Sequence, residues 1–344
     1  MIGVPRAAAG AVAMLLCATV AGCAPGLPAP DPGAAAAGAA VTQEQEEKII
    51  GRVAAAVEEA TAGRKTAVLD DRVSGPAKAL RTSQIEVAGN LDSDKQVTNL
   101  PMTMQAVLLP SEPGWPRTSL AVSTRQEDRA APVLYAFEQR SPRSNNKLWA
   151  WVKLLRNETL PRFAPTETGA ETVAPDDGET LVMSPREAVA AYADVLSEGS
   201  DSSSSGKVED DEFRDLMREQ ESAQEKSDGW KDADGRYSFG ATADEDSGVR
   251  AMRVLDGGAI VLGALDSSQL IKLQKCARIE KDSLTDTQRA LLGEQQESNV
   301  LRTTYLDVVA LYVPPAGSAD RTRLVGVEHV AVDVDSAGDM SDCG

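Results

Sequence analysis

The spacing of hydrophobic positions changes character several times along the chain. Ala7 to Val20 is an almost uninterrupted apolar run, preceded by Arg6 and followed by small residues. It is shorter than the roughly 20 residues that a membrane-spanning helix needs. A basic start, a short apolar centre and a small-residue zone are the order of a secretory leader, so residues 1–22 are expected to be one. Residues 23–40, "CAPGLPAPDPGAAAAGAA", then lose nearly all large apolar groups. Such a segment cannot bury a core, and its prolines favour an extended tether reaching up to ~3.1 Å per residue.

From residue 41 the period is helical. Thr42 and Gln45 have capping-box spacing, and Ile49, Val53, Val57 and Ala60 recur on one face until Gly63, which predicts a helix over about 43–62. A short helical piece around Val68–Val73 should break at Gly75-Pro76, with a second run over about 77–87. The period then falls to that of strands. "MQAVLLP", "RTSLAVSTRQ", "PVLYAFEQRS" and "KLWAWVKLLR" are short and β-prone and are bounded by turn residues, which predicts an antiparallel meander. Residues 161–183, rich in Pro, Thr, Gly and acids, read as a linker.

The order then repeats. Ser184, Pro185 and Glu187 start a helix, and "VEDDEFRDLMREQESAQEK" forms another with Phe213, Leu216 and Met217 as its apolar stripe. Strands follow at "GRYSFGAT", "VRAMRVLDGGAIVLGAL", with a hairpin through Asp256-Gly257-Gly258, "TTYLDVVALYVPP" and "TRLVGVEHVAVDV". A short helix over 286–292, ended by Gly293, interrupts them. The expectation is an α+β fold of two tandem modules, 41–160 and 184–344, each with helices packed on one face of a curved antiparallel sheet. This order of elements is similar to that of NTF2-like or cystatin-like cones, an analogy at the level of fold.

Charge narrows the partners. The chain has 35 Lys and Arg against 53 Asp and Glu, for a net charge of −18. A body so acidic repels phosphate backbones and no basic stripe offsets it, so nucleic acid is not an expected partner. Cysteine narrows the compartment. "VAGC", residues 20–23, looks like a bacterial lipobox, and that resemblance implies that Cys23 carries fatty acyl groups such as palmitate and begins the mature chain. Several acyl chains on one cysteine hold durably where a single chain does not. Cys17 leaves with the leader, so Cys276 and Cys343 remain as an even pair in an oxidising compartment and are expected to bond. Closing a loop of about 70 residues would stabilise by roughly 4 kcal/mol in the chain-entropy account.

With the lipobox, the tether and "DRVSGPAKALRT" (71–82) together, the chain resembles a group of actinobacterial lipoproteins that carry an Arg-Val-Thr/Ser-Gly-Pro-Ala stretch after a long first helix. Here the stretch is Arg72, Val73, Ser74, Gly75, Pro76 and Ala77. It departs from that pattern at Lys78 and Ala79. The resemblance implies location and fold, and no chemistry. Read physically, the stretch is a structural corner: Gly75 permits a backbone shape that other residues resist, and Pro76 starts the next helix.

Candidate chemistry is sparse. His329, the sole histidine, alternates with apolar residues and reads as a rim residue of a strand, with Glu328 on the opposite face. Nucleophile-elbow, zincin, phosphate-loop and dinucleotide patterns do not occur in the sequence, so no catalytic, cofactor or metal residue is expected. Two acid clusters, Asp333/Asp335/Asp339 and Asp232/Asp234/Gly235, look like calcium loops but lack the closing bidentate glutamate and read as solvated turns. Trp149 and Trp151 share a strand face, and with Tyr135 and Phe137 they form either core or the wall of an apolar ligand pocket. The expected function is a lipid-anchored, extracytoplasmic binding module, leaning away from an enzyme, with an envelope protein, glycan or lipid as partner. The alternative is a carboxylate-dependent envelope hydrolase, which needs two acids facing across a cleft.

Overall fold

The helices begin where their caps place them. The computed structural model describes residues 38–125, 131–338 and 340–343. The leader, Cys23, most of the tether and Asp339 lie outside those residues. Helix α1 (Gln43–Gly63) opens on the expected box, with Thr42 accepting from the Gln45 amide and Gln45 accepting from the Thr42 amide. Val53, Val57 and Ala60 are buried as expected, but at the start of the face Ile50 rather than Ile49 goes inside, and Glu46 goes with it. A short 3₁₀ helix (Thr66–Asp71) leads into α2 (Gly75–Leu91).

Strands β1 (Met104–Leu108), β2 (Arg117–Ser123), β3 (Val133–Gln139) and β4 (Lys147–Leu154) form the antiparallel meander. The second half contributes α3 (Pro185–Glu198), α4 (Glu212–Glu225), β5 (Arg236–Ala243), β6 (Arg250–Arg253), β7 (Ala259–Lys272), α5 (Asp286–Leu292), β8 (Val300–Val313) and β9 (Arg323–Asp335). The protein is α+β, as expected.

The strands of the two halves nevertheless belong to one sheet, in the order β1-β2-β3-β4-β9-β8-β7-β5, with β6 also paired to β7. The seam is short: Lys153 pairs Val327, and Leu154 pairs Gly326. Gly326 permits it, because a Cβ there would lie 2.7 Å from Val152 Cγ2 and 2.9 Å from the Lys153 carbonyl oxygen.

The reason for the merger lies in β7–β9, which are apolar on both faces. Ile260, Leu262, Leu306, Val308 and Ala310 join a core shared with α1, α2 and the first-half strands. Ala259, Val261, Leu265, Val309 and Leu311 join a second core under α3 and α4. Runs such as "AIVLGAL" and "VVALYV" are what a strand covered on both sides requires. The expectation of helices on one face of each sheet is thus corrected for the second half. Each fully buried Leu or Val contributes about 1.5–3 kcal/mol, so the second face is not an incidental contact.

Residues 161–183 are tied down along their length. Ala170 donates to the Leu109 carbonyl at 2.7 Å, Val173 to Ala251 at 2.9 Å and Val182 to Pro314 at 3.0 Å. Ala170, Val173 and Leu181 are buried. The prolines and acids that read as linker mark irregular backbone, which here straps the two halves together.

Candidate functional site

Of the two alternatives for the aromatic set, core and pocket wall, the structure takes core. Tyr135, Trp149 and Trp151 are 0% exposed and Phe137 is 1% exposed. α2 covers them. Gly75, at φ +54°, brings its backbone so close that a Cβ would lie 2.7 Å from Trp149 Cδ1. The Arg81 guanidinium stands 5.3 Å over the Trp151 ring and Arg250 stands 4.5 Å over Trp149. Burial pulls the Arg81 guanidinium down to about 10, against the opposing pull of the Glu328 carboxylate.

The cleft lies elsewhere, on the face of the second-half strands that α3 and α4 cover. α3 seats against that face at Gly263, where a Cβ would lie 2.6 Å from Val189 Cγ2. The strands outrun the helix. Beyond Gly263 the same face of β7 continues as Ser267, Gln269 and Ile271, and that of β8 continues back through Asp307 and Tyr305 to Leu301. The uncovered end is roofed only in part by α4, by the turn around Trp230 and by residues 277–285, leaving a cleft of about 850 Å³.

α4 is placed by its cap. Asp211 accepts from the amides of Phe213 and Arg214, and Tyr192 donates to the same carboxylate at 3.2 Å. Burial raises the Asp211 carboxyl above the usual carboxylate range and the Tyr192 phenol above the usual tyrosine range. Phe213 and Met217 face the core, but Leu216 is 45% exposed, a correction to the expected stripe. Positions 213 and 217 are one helical turn apart, whereas 216 points about 60° away from 213. Gln220 and Gln224, further along α4, line the cleft.

The floor is Trp230, Ile271, Leu284 and Leu301, members of a third apolar cluster that Leu292 and Val334 complete beneath it. Gly235 makes room for the Trp230 ring, which a Cβ would meet at 2.4 Å. The outer wall is fixed at its start by the disulfide between Cys276 and Cys343, whose Cα atoms are 5.2 Å apart. Ile279 donates to the Ser298 carbonyl at 2.9 Å, and the Lys281 amide donates to Glu297 Oε1 at 2.8 Å. Polar atoms at the floor are few and paired: Tyr305 Oη donates to Gln269 Oε1 at 3.0 Å, with burial pushing the phenol up to about 12.

At the inner end a polar layer crosses three strands. Ser267 Oγ donates to Asp307 Oδ2 at 2.7 Å, and His329 Nδ1 lies 2.5 Å from Asp307 Oδ1. The Tyr305 ring stacks on the imidazole at 4.1 Å, and Phe213 tilts against it at 5.3 Å. His329 is therefore a half-buried partner of a fully buried aspartate rather than a rim residue. Ser267 bonds the carboxylate and not the imidazole, so the three groups do not stand in the hydroxyl–imidazole–carboxylate order of an activated serine. Four buried carboxylates have partners of their own. Glu46 accepts from Ser119, Glu138 meets Arg140 and Arg250, Asp307 meets Ser267 and His329, and Glu328 meets Thr98, Gln84 and Lys153.

Of the calcium-like clusters, Asp232 and Asp234 lie in an exposed turn, where Asp234 pairs with Arg236 at 3.6 Å. Among the described residues no group of three metal-ligating side chains occurs. No helix among the described residues is long and apolar enough to cross a membrane. Asp307, Tyr305 and Gln269 were missed by sequence reasoning. The available signal was a lone aspartate inside "YLDVVALYV", since a charge in a strand apolar on both faces requires a buried partner.

A family model described as "Domain of unknown function (DUF8094)" matches residues 37–336. A curated relative from Streptomyces avermitilis, described as an "Uncharacterized lipoprotein", is 33% identical over 149 residues, which are 42% of this chain and 42% of its own. The aligned part thus spans less than half of that relative's length. No solved structure matches.

Proposed function

We propose, from the premise that this chain belongs to the DUF8094 family, a lipoprotein that is anchored to the cell membrane through acylated Cys23, faces the extracytoplasmic side and binds a ligand in the second-half cleft. The anchor is supported by the "VAGC" stretch at the end of an apolar leader and by a relative described as a lipoprotein. The tether after Cys23 would carry the folded part away from the bilayer surface. The likeness of the halves to NTF2-like cones rests on element order.

The binding reading is carried by one observation. A cleft of about 850 Å³ has an apolar floor that includes Trp230, Ile271 and Leu301, and glutamine amides and Tyr305 stand at its sides. Concave apolar surface with a few fixed polar groups is the usual form of a ligand site. Asp228, Arg278 and Glu280 add charge to its lining, and the lining serines Ser227 and Ser283 donate to backbone carbonyls rather than to a base, which supports capture of a ligand with an apolar body. The chemistry of the envelope supplies proteins, glycans and lipids as sources.

The test is photocrosslinking in the native envelope from a benzophenone amino acid at Gln220, an exposed lining position on α4. A discrete crosslinked species is expected, and it should disappear when Ala277→Trp fills the cleft mouth in a protein that still folds. No species, or one indifferent to the filled cleft, would overturn the reading.

A further inference from the structure

Residues 38–40 lie beside an exposed apolar loop. The Ala39 amide donates to the Glu167 carbonyl at 3.2 Å, and the Ala40 amide donates to the Pro110 carbonyl at 2.7 Å. Pro110 belongs to the connection between β1 and β2, whose tip, Pro113-Gly114-Trp115-Pro116, is exposed and carries no charge. Three large hydrophobic side chains are exposed among the described residues, Trp115, Leu216 and Leu255, and Trp115, 40% exposed, stands in the loop that holds the entering chain. One residue links the two. Arg117 Nη1 donates to the Ala40 carbonyl at 3.3 Å, and the same guanidinium lies 4.0 Å from the centre of the Trp115 ring.

The tip is suited to an apolar medium. Pro113 and Pro116 have no amide proton. Arg117 donates to the Pro113 carbonyl through Nη2 at 2.8 Å and to the Gly114 carbonyl through Nε at 3.1 Å. The Trp115 indole donates to Gln139 Oε1 at 3.2 Å. Glu112, the one acid among residues 109–116, is turned to the strap, where it accepts from the Thr172 amide at 3.1 Å. Unpaired polar groups are what keep irregular backbone out of lipid, and here neighbouring side chains satisfy several of them. A tryptophan with its N–H paired and its ring exposed is the side chain that settles at bilayer interfaces.

One exposed tryptophan is ordinary on a protein surface, and its position is what gives this one an occupant. Residues 24–37 join Cys23 to Gly38. A fully extended chain of that length spans at most about 50 Å. An anchor at Cys23 therefore keeps the loop beside residues 38–40 within reach of the bilayer, at high effective concentration. We propose, on the reading that Cys23 is acylated, that the 113–116 tip docks on the lipid surface with Trp115 seated at the level of the headgroups. Glu167 and Glu171 of the strap are exposed and the chain carries a net charge of −18, so the contact is apolar and suits a zwitterionic surface. The tip belongs to the β1–β2 edge of the sheet, whereas β7 and β8 wall the cleft toward the other edge, so docking leaves the cleft open to solvent.

Quenching by brominated lipid tests it. The protein isolated from its native membrane is reconstituted into phosphatidylcholine vesicles whose acyl chains carry bromine near the headgroup. Trp149 and Trp151 are 0% exposed and Trp230 is 8% exposed, so Trp115 is the tryptophan that the bromine can reach. Vesicle-bound protein should lose tryptophan emission relative to unbrominated vesicles, and equally at low and high salt, since salt screens charge and not apolar contact. The loss should be absent in Trp115→Phe, which removes the reporter. It should largely disappear in Pro113→Glu, which keeps the reporter and charges the tip. Both variants should float with the vesicles and retain the native melting profile. Floating protein without the loss, a loss that high salt removes, or an equal loss in Pro113→Glu would overturn the proposal. Protein that does not float with the vesicles would overturn the anchor, and this contact with it.

Discussion

Glu46 shows what a single residue can hide. In the sequence it belongs to the charged face of α1, yet it is 2% exposed and accepts a hydrogen bond from Ser119. Burial raises its carboxyl above the ordinary glutamate value, and the Ser119 bond only partly opposes this. The folded protein therefore binds this proton more tightly than the unfolded chain does. The stability tied to that proton is fully present below the ordinary glutamate pKa and is lost as pH rises through the raised folded value. Glu46→Gln keeps a hydrogen-bonding side chain and removes the charge, so it should raise the Tm more at about pH 7 than at about pH 4. Thermal melts at the two pH values decide it, and a larger gain at the acidic one contradicts the assignment. The core aromatics carry the complementary lesson. That Trp149 and Trp151 share one face was legible in their spacing, but whether that face meets a helix or a cavity was not, because spacing says nothing of what lies opposite.

At the scale of elements, the caps carried most of the information. Thr42, Ser184 and Thr285 each close a capping box, and the helices they start lie where the sequence placed them. The reason is local: a cap satisfies amides within its own first turn. The corner at Gly75 was legible as a corner, while its partner was not. The stretch pairs with β4, Ser74 donating to the Leu148 carbonyl at 2.9 Å and Leu148 donating to that of Arg72 at 2.8 Å. Gly75→Ala would place a methyl group against the Trp149 ring in a backbone shape that disfavours it. It should cost roughly 2–4 kcal/mol in urea unfolding, and a loss under about 0.5 kcal/mol would show that the corner is not constrained. The cleft wall was legible only in pieces. The helix over 286–292 was announced by its stop at Gly293, but the path of residues 277–285 is set by bonds to Ser298 and Glu297 and by the disulfide at Cys276.

For the whole molecule, the shared sheet makes a thermodynamic claim. The described residues form one compact unit, and β7–β9 contribute to cores on both of their faces. The folded part should therefore unfold in a single cooperative transition seen alike by far-UV and tryptophan signals. Gly326→Ala, which forces β9 away from β4, should lower the midpoint of that transition without splitting it. Two resolved transitions in the unaltered protein would mean that the halves fold separately. The sequence by itself determined the helices, their caps, the strands, the α+β class and an acidic chain ill-suited to nucleic acid, because each of these depends on residues close together in the chain. Only the tertiary structure decided that the two sets of strands share one sheet, that the aromatic face is core, and that Asp307 holds His329 while Glu328 meets Thr98, Gln84 and Lys153. Each of those outcomes depends on which face meets which partner far away in sequence, and a side chain's neighbours across a sheet leave no mark on its own spacing.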